Sequence, residues 1–123
     1  MPSPGTAAVT PRERRVLERL VRLLQEEFGP DLHAVWLYGS RARGEQPGDE
    51  SDVDLLVVSS RNRVGDQFRL TELVIEAAEA EDANPVLFSA LLYTPERVAQ
   101  RRDIRSFFIQ EVDRDKIVLF GQP

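Results

Sequence analysis

Two apolar runs separated by a polar, glycine-containing segment constrain the fold of this chain more than any other feature of its sequence. The first run is LHAVWLY at residues 32–38, and the second is VDLLVV at residues 53–58. β-branched and aromatic residues favour strands, so both runs are predicted to be β-strands. The second run is apolar on both faces, which is typical of a central strand in a sheet.

A helix is predicted before the first strand. Thr10 is the expected N-cap, Pro11 suits the first helical position, and Glu13 completes a capping box. Apolar residues then recur at helical spacing until a Gly-Pro pair marks the predicted end. Residues 1–9 are small and include Pro and Gly, so they are predicted to form a disordered tail.

The rest of the chain continues the alternation of strands and helices. The predicted elements are a helix at 66–81 with Asp66 as its possible cap, a strand at 85–93, a helix from 95 to about 100, a helix at 104–113 and a strand at 116–121. The order α-β-β-α-β-α-α-β indicates an α/β (α+β) fold, in which a mixed sheet of about four strands carries packed helices. One domain over residues 10–121 contains all of these elements.

Composition argues against several functional classes. The 123 residues include no cysteine, which removes disulfides and thiolate metal sites. No apolar run is long enough to span a bilayer, and the N-terminus lacks the pattern of a signal peptide, so we expect a cytoplasmic protein without a membrane partner. The net charge of −5 argues against a protein that depends on sequence-independent contact with nucleic acid.

Two aspartates, Asp52 and Asp54, stand one residue apart at the start of the second strand. Residues two positions apart on a strand point to the same face, with Cα atoms roughly 6.5 Å apart. Two carboxylates this close repel each other and desolvation penalises their charge, but a divalent cation offsets both costs. Hard oxygen ligands suit Mg²⁺ or Mn²⁺, so both aspartates are candidate metal ligands. The alternative is that the acidic segment is only a solvated turn before a strand.

The segment between the two runs is suited to binding phosphate. Gly39 follows the first strand and allows a sharp turn with a close approach of the backbone to an anion. Ser40 adds a hydroxyl donor, and Arg41 and Arg43 are candidates to neutralise phosphate charge. Together with the two aspartates, these residues describe a site for a nucleoside triphosphate and its magnesium ion.

The combination of strand, Gly-Ser, basic loop, Asp-x-Asp and apolar strand resembles the nucleotidyltransferase superfamily that includes DNA polymerase β. More narrowly, it is similar to the minimal nucleotidyltransferases of bacteria and archaea. The stretch GSRARGEQPGDESDVD places eleven residues between Ser40 and Asp52, close to the family's spacing. The similarity covers roughly residues 10 to 121, including LLYTPERVAQ and the closing run KIVLFG.

This resemblance implies a function and a set of residue roles. Gly39 and Ser40 would hold the β- and γ-phosphates of ATP, while Asp52 and Asp54 would bind the metal ions. The reaction would transfer AMP from Mg-ATP to a hydroxyl group, with Ser40 and the two aspartates as catalytic residues. Minimal members lack domains that recognise an acceptor, so a separate partner is also implied. It would be a small helical protein of the HEPN type, in a toxin–antitoxin pair whose antitoxin is the nucleotidyltransferase.

One departure from the family pattern leaves a second interpretation open. Active members usually carry a third carboxylate in the next core strand, where it helps to bind the catalytic metal and to activate the attacking hydroxyl. Here that strand is PVLFSALLY, and the position falls at about Ser89 or Leu91. The alternative is therefore a catalytically weak or inactive module that binds nucleotide or a partner. The sequence leaves the acceptor, the base preference and the oligomeric state open, and it allows a homo-oligomer.

Several other residues have a structural interpretation beside a functional one. Tyr38 is predicted to pack in the core, although it adjoins the Gly-Ser turn and could line the site. Arg61 and Arg63 are expected in a solvated loop, with overhang of the nucleotide as the alternative. Phe107 and Phe108 are predicted to lie in the core on one side and to be available to a partner on the other.

Overall fold

The computed structural model describes residues 7–45 and 52–123, and it has the predicted order of helices and strands. The elements are α1 (Pro11–Phe28), β1 (Leu32–Tyr38), β2 (Val53–Ser59), α2 (Asp66–Ala80), β3 (Phe88–Tyr93), α3 (Pro95–Asp103), α4 (Phe107–Asp115) and β4 (Ile117–Gly121). Short 3₁₀ turns lead into β1 and β3. No helix of the described part is long and apolar enough to cross a bilayer.

The four strands form one mixed sheet in the order β3-β2-β1-β4. β1 is antiparallel to both β2 and β4, while β2 and β3 run parallel. The central position predicted for β2 is confirmed, because β2 lies between β1 and β3. The register places Tyr38 of β1 opposite Asp54 of β2, and Asp54 beside Ser89 of β3.

Both faces of the sheet are covered by helices, which explains why β2 is apolar on both sides. One face packs against α1 and α2 through residues such as Val35, Leu37 and Leu55. The other face packs against α3 and α4 through residues such as Trp36 and Leu56. Successive residues of a strand point to opposite faces, so Tyr38, Asp54 and Ser89 all belong to the α3/α4 face.

The start of α1 is confirmed in detail. The Thr10 hydroxyl accepts a hydrogen bond from the Glu13 amide at 3.1 Å, and Glu13 Oε1 accepts one from the Thr10 amide at 2.8 Å. These reciprocal bonds satisfy two amides that the first helical turn leaves without backbone partners. Within the tail predicted at residues 1–9, the Ala8 amide donates to the Arg41 carbonyl at 2.8 Å. The prediction for residues 1–6 lies outside the described residues.

The cap of α2 and the starts of β3 and α4 differ from the sequence prediction. The N-cap of α2 is Gly65, at φ 94°, and Asp66 is the first helical residue, whose carboxylate accepts the Arg63 amide. β3 begins at Phe88 instead of residue 85, because Asn84 and Pro85 start a 3₁₀ turn. The last helix is shifted C-terminally to 107–115, since the hydroxyl of the preceding serine accepts its third amide and sets the start. Helix α3 extends three residues beyond its predicted end.

Candidate functional site

The Gly39-Ser40 turn lies directly against Asp54 of β2. Gly39 has φ +80°, and a Cβ built on it would lie 3.0 Å from Asp54 Oδ2. Its carbonyl accepts the amides of Ala42 and Arg43 at 3.1 and 3.2 Å, which closes the turn. A side chain at this position would be strained by the backbone angle and would press on the carboxylate. Glycine therefore allows the turn to pack closely against Asp54.

Asp52 and Asp54 form a pair of interacting carboxylates. Asp52 is exposed, whereas Asp54 is partly buried between Tyr38 and Ser89 on the α3/α4 face of the sheet. Burial raises the pKa of Asp54, the nearby charge of Asp52 raises it further, and Arg41 acts in the opposite direction. A carboxylate held in this environment is stabilised by a cation, and paired oxygen donors of this kind fit Mg²⁺ or Mn²⁺.

Replacing Asp54 with Asn should stabilise the metal-free protein at neutral pH. A carboxyl whose pKa is raised by folding contributes stability at low pH, and that contribution is lost as the pH rises through its folded value. We expect a gain of about 0.5–1 kcal/mol at pH 7 and a melting temperature higher by a few degrees. Thermal unfolding in the presence of a chelator checks this. The gain in stability should shrink when the pH is lowered below the ordinary pKa range of carboxyl groups. An Asn variant less stable than the parent at pH 7 would contradict it.

Tyr38 and Ser89 flank Asp54 on neighbouring strands. Burial raises the pKa of Tyr38 to about 12, with a further contribution from the charge of Asp54. The Tyr38 ring also contacts Phe108 edge-on, with centroids 5.4 Å apart. Tyr38 thus packs in the core, as predicted, and also borders the site. Ser89 is exposed and occupies the position beside Asp54 where a third carboxylate is expected. Within residues 7–45 and 52–123, no three His, Cys, Asp or Glu side chains cluster as a metal site.

The two arginines of the loop are engaged in ion pairs. Arg41 is 4% exposed and donates from Nη1 and Nη2 to the two carboxylate oxygens of Glu13, at 2.7 and 3.2 Å. Arg43 donates to Glu45 at 2.8 Å and to Asp115 at 3.0 Å. Arg41 thus ties the loop to the start of α1, which is a structural role that the sequence did not predict. The predicted contact of either arginine with phosphate stays a prediction.

Arg61 lies at the opposite end of β2 from the aspartates, roughly 20 Å away at the rise of a strand. It donates to Glu27 and Asp66 at 3.0 and 3.1 Å and stacks over the Phe28 ring. Both sequence interpretations of Arg61 are therefore wrong: it is neither simply solvated nor able to overhang the site. Its pairs join the end of α1 to the start of α2.

Comparison with known proteins places the fold in one group. The model of a family described as a nucleotidyltransferase domain matches residues 17–113 of the chain. Among solved structures, a Sulfolobus solfataricus protein assigned as a nucleotidyltransferase has 22% sequence identity and a TM-score of 0.51. The match covers 90% of this chain and 84% of that one.

Two toxin–antitoxin structures are similar to the same degree. One contains AMP-PNP, with 22% identity and a TM-score of 0.52, covering 86% of this chain and 73% of that chain. The other is an MntA–HpeT complex in which two aspartates two positions apart are replaced by glutamate. It has 19% identity and a TM-score of 0.51, with the same coverage of 86% and 73%. At these identities the likeness establishes the fold. No curated protein matches the chain significantly.

Proposed function

The chain belongs to the family of nucleotidyltransferase domains, and we propose that it transfers AMP from ATP to a hydroxyl group on a separate protein. The observation that carries this proposal is the packing of Gly39 against Asp54, whose Oδ2 lies 3.0 Å from the position of a Cβ at residue 39. A phosphate-binding turn and a metal-binding carboxylate pair are useful to each other only when they meet in this way.

The roles follow from the chemistry of each side chain. Asp52 and Asp54 would hold Mg²⁺ or Mn²⁺, and a bound ion would neutralise phosphate charge and orient the α-phosphate. The Gly39-Ser40 turn and the Ser40 hydroxyl would hold the β- and γ-phosphates. Arg43 is 37% exposed and would reach phosphate by exchanging one of its carboxylate partners. Arg41, which is buried on Glu13, would act mainly by fixing the loop.

The proposed transfer step is an in-line displacement at the α-phosphorus of ATP. The acceptor oxygen forms a bond to the α-phosphorus while the bond from that phosphorus to the bridging oxygen of the β-phosphate breaks. Pyrophosphate leaves, and the proton of the acceptor hydroxyl passes to water or to a base on the acceptor protein. The acceptor protein or water would have to take this proton because residue 89, beside Asp54, is a serine and not an acid. Catalysis would rest on positioning and on charge neutralisation.

The partner proposed is a small helical protein of the HEPN type, with this chain as the antitoxin of the pair. Support comes from the folds that resemble it, which include toxin–antitoxin complexes and one bound to AMP-PNP. One of those complexes was altered at two aspartates with the same spacing as Asp52 and Asp54. ATP as the substrate fits both the motif and the AMP-PNP in the other toxin–antitoxin structure.

A second candidate function is a catalytically weak or inactive module that binds nucleotide and covers a partner. The position of Ser89 favours it, because the strand beside Asp54 lacks the third acid of active members. Loss of a general base costs roughly 10²–10⁴ in rate. The two candidates differ in turnover and share the nucleotide site.

Transfer of label from α-³²P-ATP tests the proposal. The purified chain is incubated with Mg²⁺ or Mn²⁺ and a purified small helical protein of the HEPN type, in parallel with Asp52→Asn and Asp54→Asn. The control variant is Asp82→Asn, which neutralises an exposed aspartate in a left-handed turn that asparagine tolerates. We expect label on the helical protein with the parent and the control, and none with either site variant.

The melting temperature with and without Mg-ATP separates the two candidates. Stabilisation by Mg-ATP without label would favour the binding module, because a ligand that binds the folded state raises its stability. The absence of both label and stabilisation would overturn the site assignment itself.

A further inference from the structure

The connection between α3 and α4 exposes two large apolar side chains close together. Ile104 is 61% exposed and Phe107 is 76% exposed. Phe108, next in the chain, turns inward and contacts Tyr38 and Tyr93. The structure therefore uses one phenylalanine for packing and presents the other to solvent, where a polar residue would cost the fold nothing. We call residues 101–107 the α3–α4 corner.

The backbone of the α3–α4 corner is held by a regular set of hydrogen bonds. The amides of Arg105 and Ser106 donate to the carbonyls of Arg102 and Arg101, at 3.1 and 3.0 Å, which closes α3. The Ser106 hydroxyl accepts the Ile109 amide at 3.2 Å and opens α4. Arg105 takes the left-handed conformation, with φ 53°, at the position where glycine is usual. The exposed apolar side chains are thus displayed on a fixed frame.

The charges at the α3–α4 corner differ in sign from the chain as a whole. The chain has a net charge of −5, but Arg101 and Arg105 flank Ile104, and neither has an ion pair with any described residue. Arg102 is neutralised by Asp113 at 2.8 Å. Against the two unpaired arginines, the corner carries one acid, Asp103. The surface is therefore an apolar centre with a basic rim, and it complements an apolar pocket with an acidic rim.

The corner is continuous with the candidate site. Phe108, which follows the exposed Phe107, lies with its ring centroid 5.4 Å from that of Tyr38. Tyr38 pairs with Asp54 across the sheet. At the other end of α4, Asp115 accepts from Arg43, in the loop at residues 39–45, at 3.0 Å. Helix α4 thus links the corner to the loop through Asp115, and to Asp54 through the contact of Phe108 with Tyr38.

We propose that the α3–α4 corner is the docking surface for the acceptor protein, which meets Ile104 and Phe107 with an apolar pocket and Arg101 and Arg105 with acidic side chains. The inference rests on the proposed function, because it supplies that reaction with its acceptor. A protein is favoured over a nucleic acid, since the chain is acidic and aliphatic Ile104 forms part of the centre.

Binding without nucleotide tests this surface independently of catalysis. The probe is the HEPN-type protein of the labelling experiment, titrated calorimetrically against the full chain and against Phe107→Glu. The matched control is Phe68→Glu, since Phe68 is 69% exposed but lies on α2, which covers the opposite face of the sheet. We expect the Kd to rise at least tenfold for Phe107→Glu and to stay within twofold for Phe68→Glu. Equal effects of the two variants would overturn the proposal.

Transfer kinetics provide a second readout. Phe107→Glu should raise the KM for the acceptor at least tenfold, while kcat at saturating acceptor and stabilisation by Mg-ATP stay as in the parent. A loss of kcat or of Mg-ATP stabilisation would mean that the substitution disturbs the site, and it would overturn a docking role. If no transfer occurs at all, the proposed function fails, and the calorimetric comparison still decides the docking surface.

The basic rim has its own test. Arg101→Gln with Arg105→Asn, the latter chosen because asparagine tolerates the left-handed backbone, should weaken binding severalfold at low salt and flatten its salt dependence. Sedimentation of the chain alone tests whether a second copy of the chain occupies this surface. A dimer that Phe107→Glu dissociates would overturn the proposal in favour of that second copy. Binding of a single-stranded RNA oligonucleotide, lost in the arginine variant, would overturn it in favour of nucleic acid.

Discussion

Replacing Arg41 with methionine should lower the free energy of unfolding by about 3–5 kcal/mol, because it leaves a carboxylate uncompensated in a largely buried site. The side chains of Arg41 and Glu13 are 4% and 11% exposed, and their closest N···O distance is 2.7 Å. Arg41 also donates to the Ala8 carbonyl at 3.1 Å. The variant therefore loosens the loop at residues 39–45, the start of α1 and the segment before it together. Chemical denaturation at pH 7 measures the loss.

The pH dependence of the same pair has a definite sign. Burial opposes ionisation of Glu13, but hydrogen bonds from Arg41 and Thr10 outweigh it, so the pKa of Glu13 is lowered. A carboxyl with a lowered pKa contributes stability above its unfolded value, and this contribution is lost as the pH falls through the folded value. The stability difference between the parent and Arg41→Met should therefore shrink in acid.

Two controls separate the ion pair from general damage. Arg69→Met removes an arginine that is 43% exposed from its pair with Glu27, and it should cost at most about 1 kcal/mol. The double variant Glu13→Gln with Arg41→Met should be less destabilised than the sum of its single variants, because each single change leaves a partner unpaired. An Arg41→Met variant no less stable than Arg69→Met would contradict the buried role.

Replacing Ser89 with aspartate should raise the rate of nucleotidyl transfer by roughly 10²-fold or more, because a carboxylate at this position would act as a general base. Ser89 lies beside Asp54 in the parallel register of β2 and β3, on the same face, and it is exposed. A carboxylate there would complete a group of three acids with Asp52 and Asp54. Initial rates with α-³²P-ATP and saturating acceptor measure the effect.

Leu91 provides the matched control for this gain. It lies two residues further along β3, on the same face and 38% exposed, but it pairs with Leu56 instead of Asp54. Leu91→Asp should leave the rate unchanged. Ser89→Asp should also destabilise the metal-free protein by adding a third charge, and Mg²⁺ should restore the stability. A rate unchanged by Ser89→Asp would mean that the base comes from the acceptor or from water.

Local patterns were sufficient to predict most of the fold. The order of eight elements, the capping box at Thr10 and the central position of β2 are all confirmed. They depend on residues within one turn or one strand of each other, where hydrophobic periodicity and capping chemistry act directly. The errors arose where a polar residue had two local uses: Asp66 was predicted as the cap of α2 but closes the preceding loop.

The candidate site was predictable only as a list of residue types. Gly39, Ser40, Asp52 and Asp54 are recognisable because they stand in one short stretch. The partners of the loop arginines are not recognisable, because Glu13 lies 28 residues from Arg41 and Asp115 lies 72 residues from Arg43. No local pattern selects one carboxylate among 21 acidic residues at such separations.

The sequence by itself determined the elements of this protein, their order and the chemistry of its motif, since each depends on side chains that are neighbours along the chain. The tertiary structure decided the strand order, the register that places Ser89 beside Asp54, and the burial of Arg41 against Glu13. It also decided that Phe107 is displayed and Phe108 is packed. These features depend on which faces meet when the sheet and helices pack, and that is a property of the whole chain.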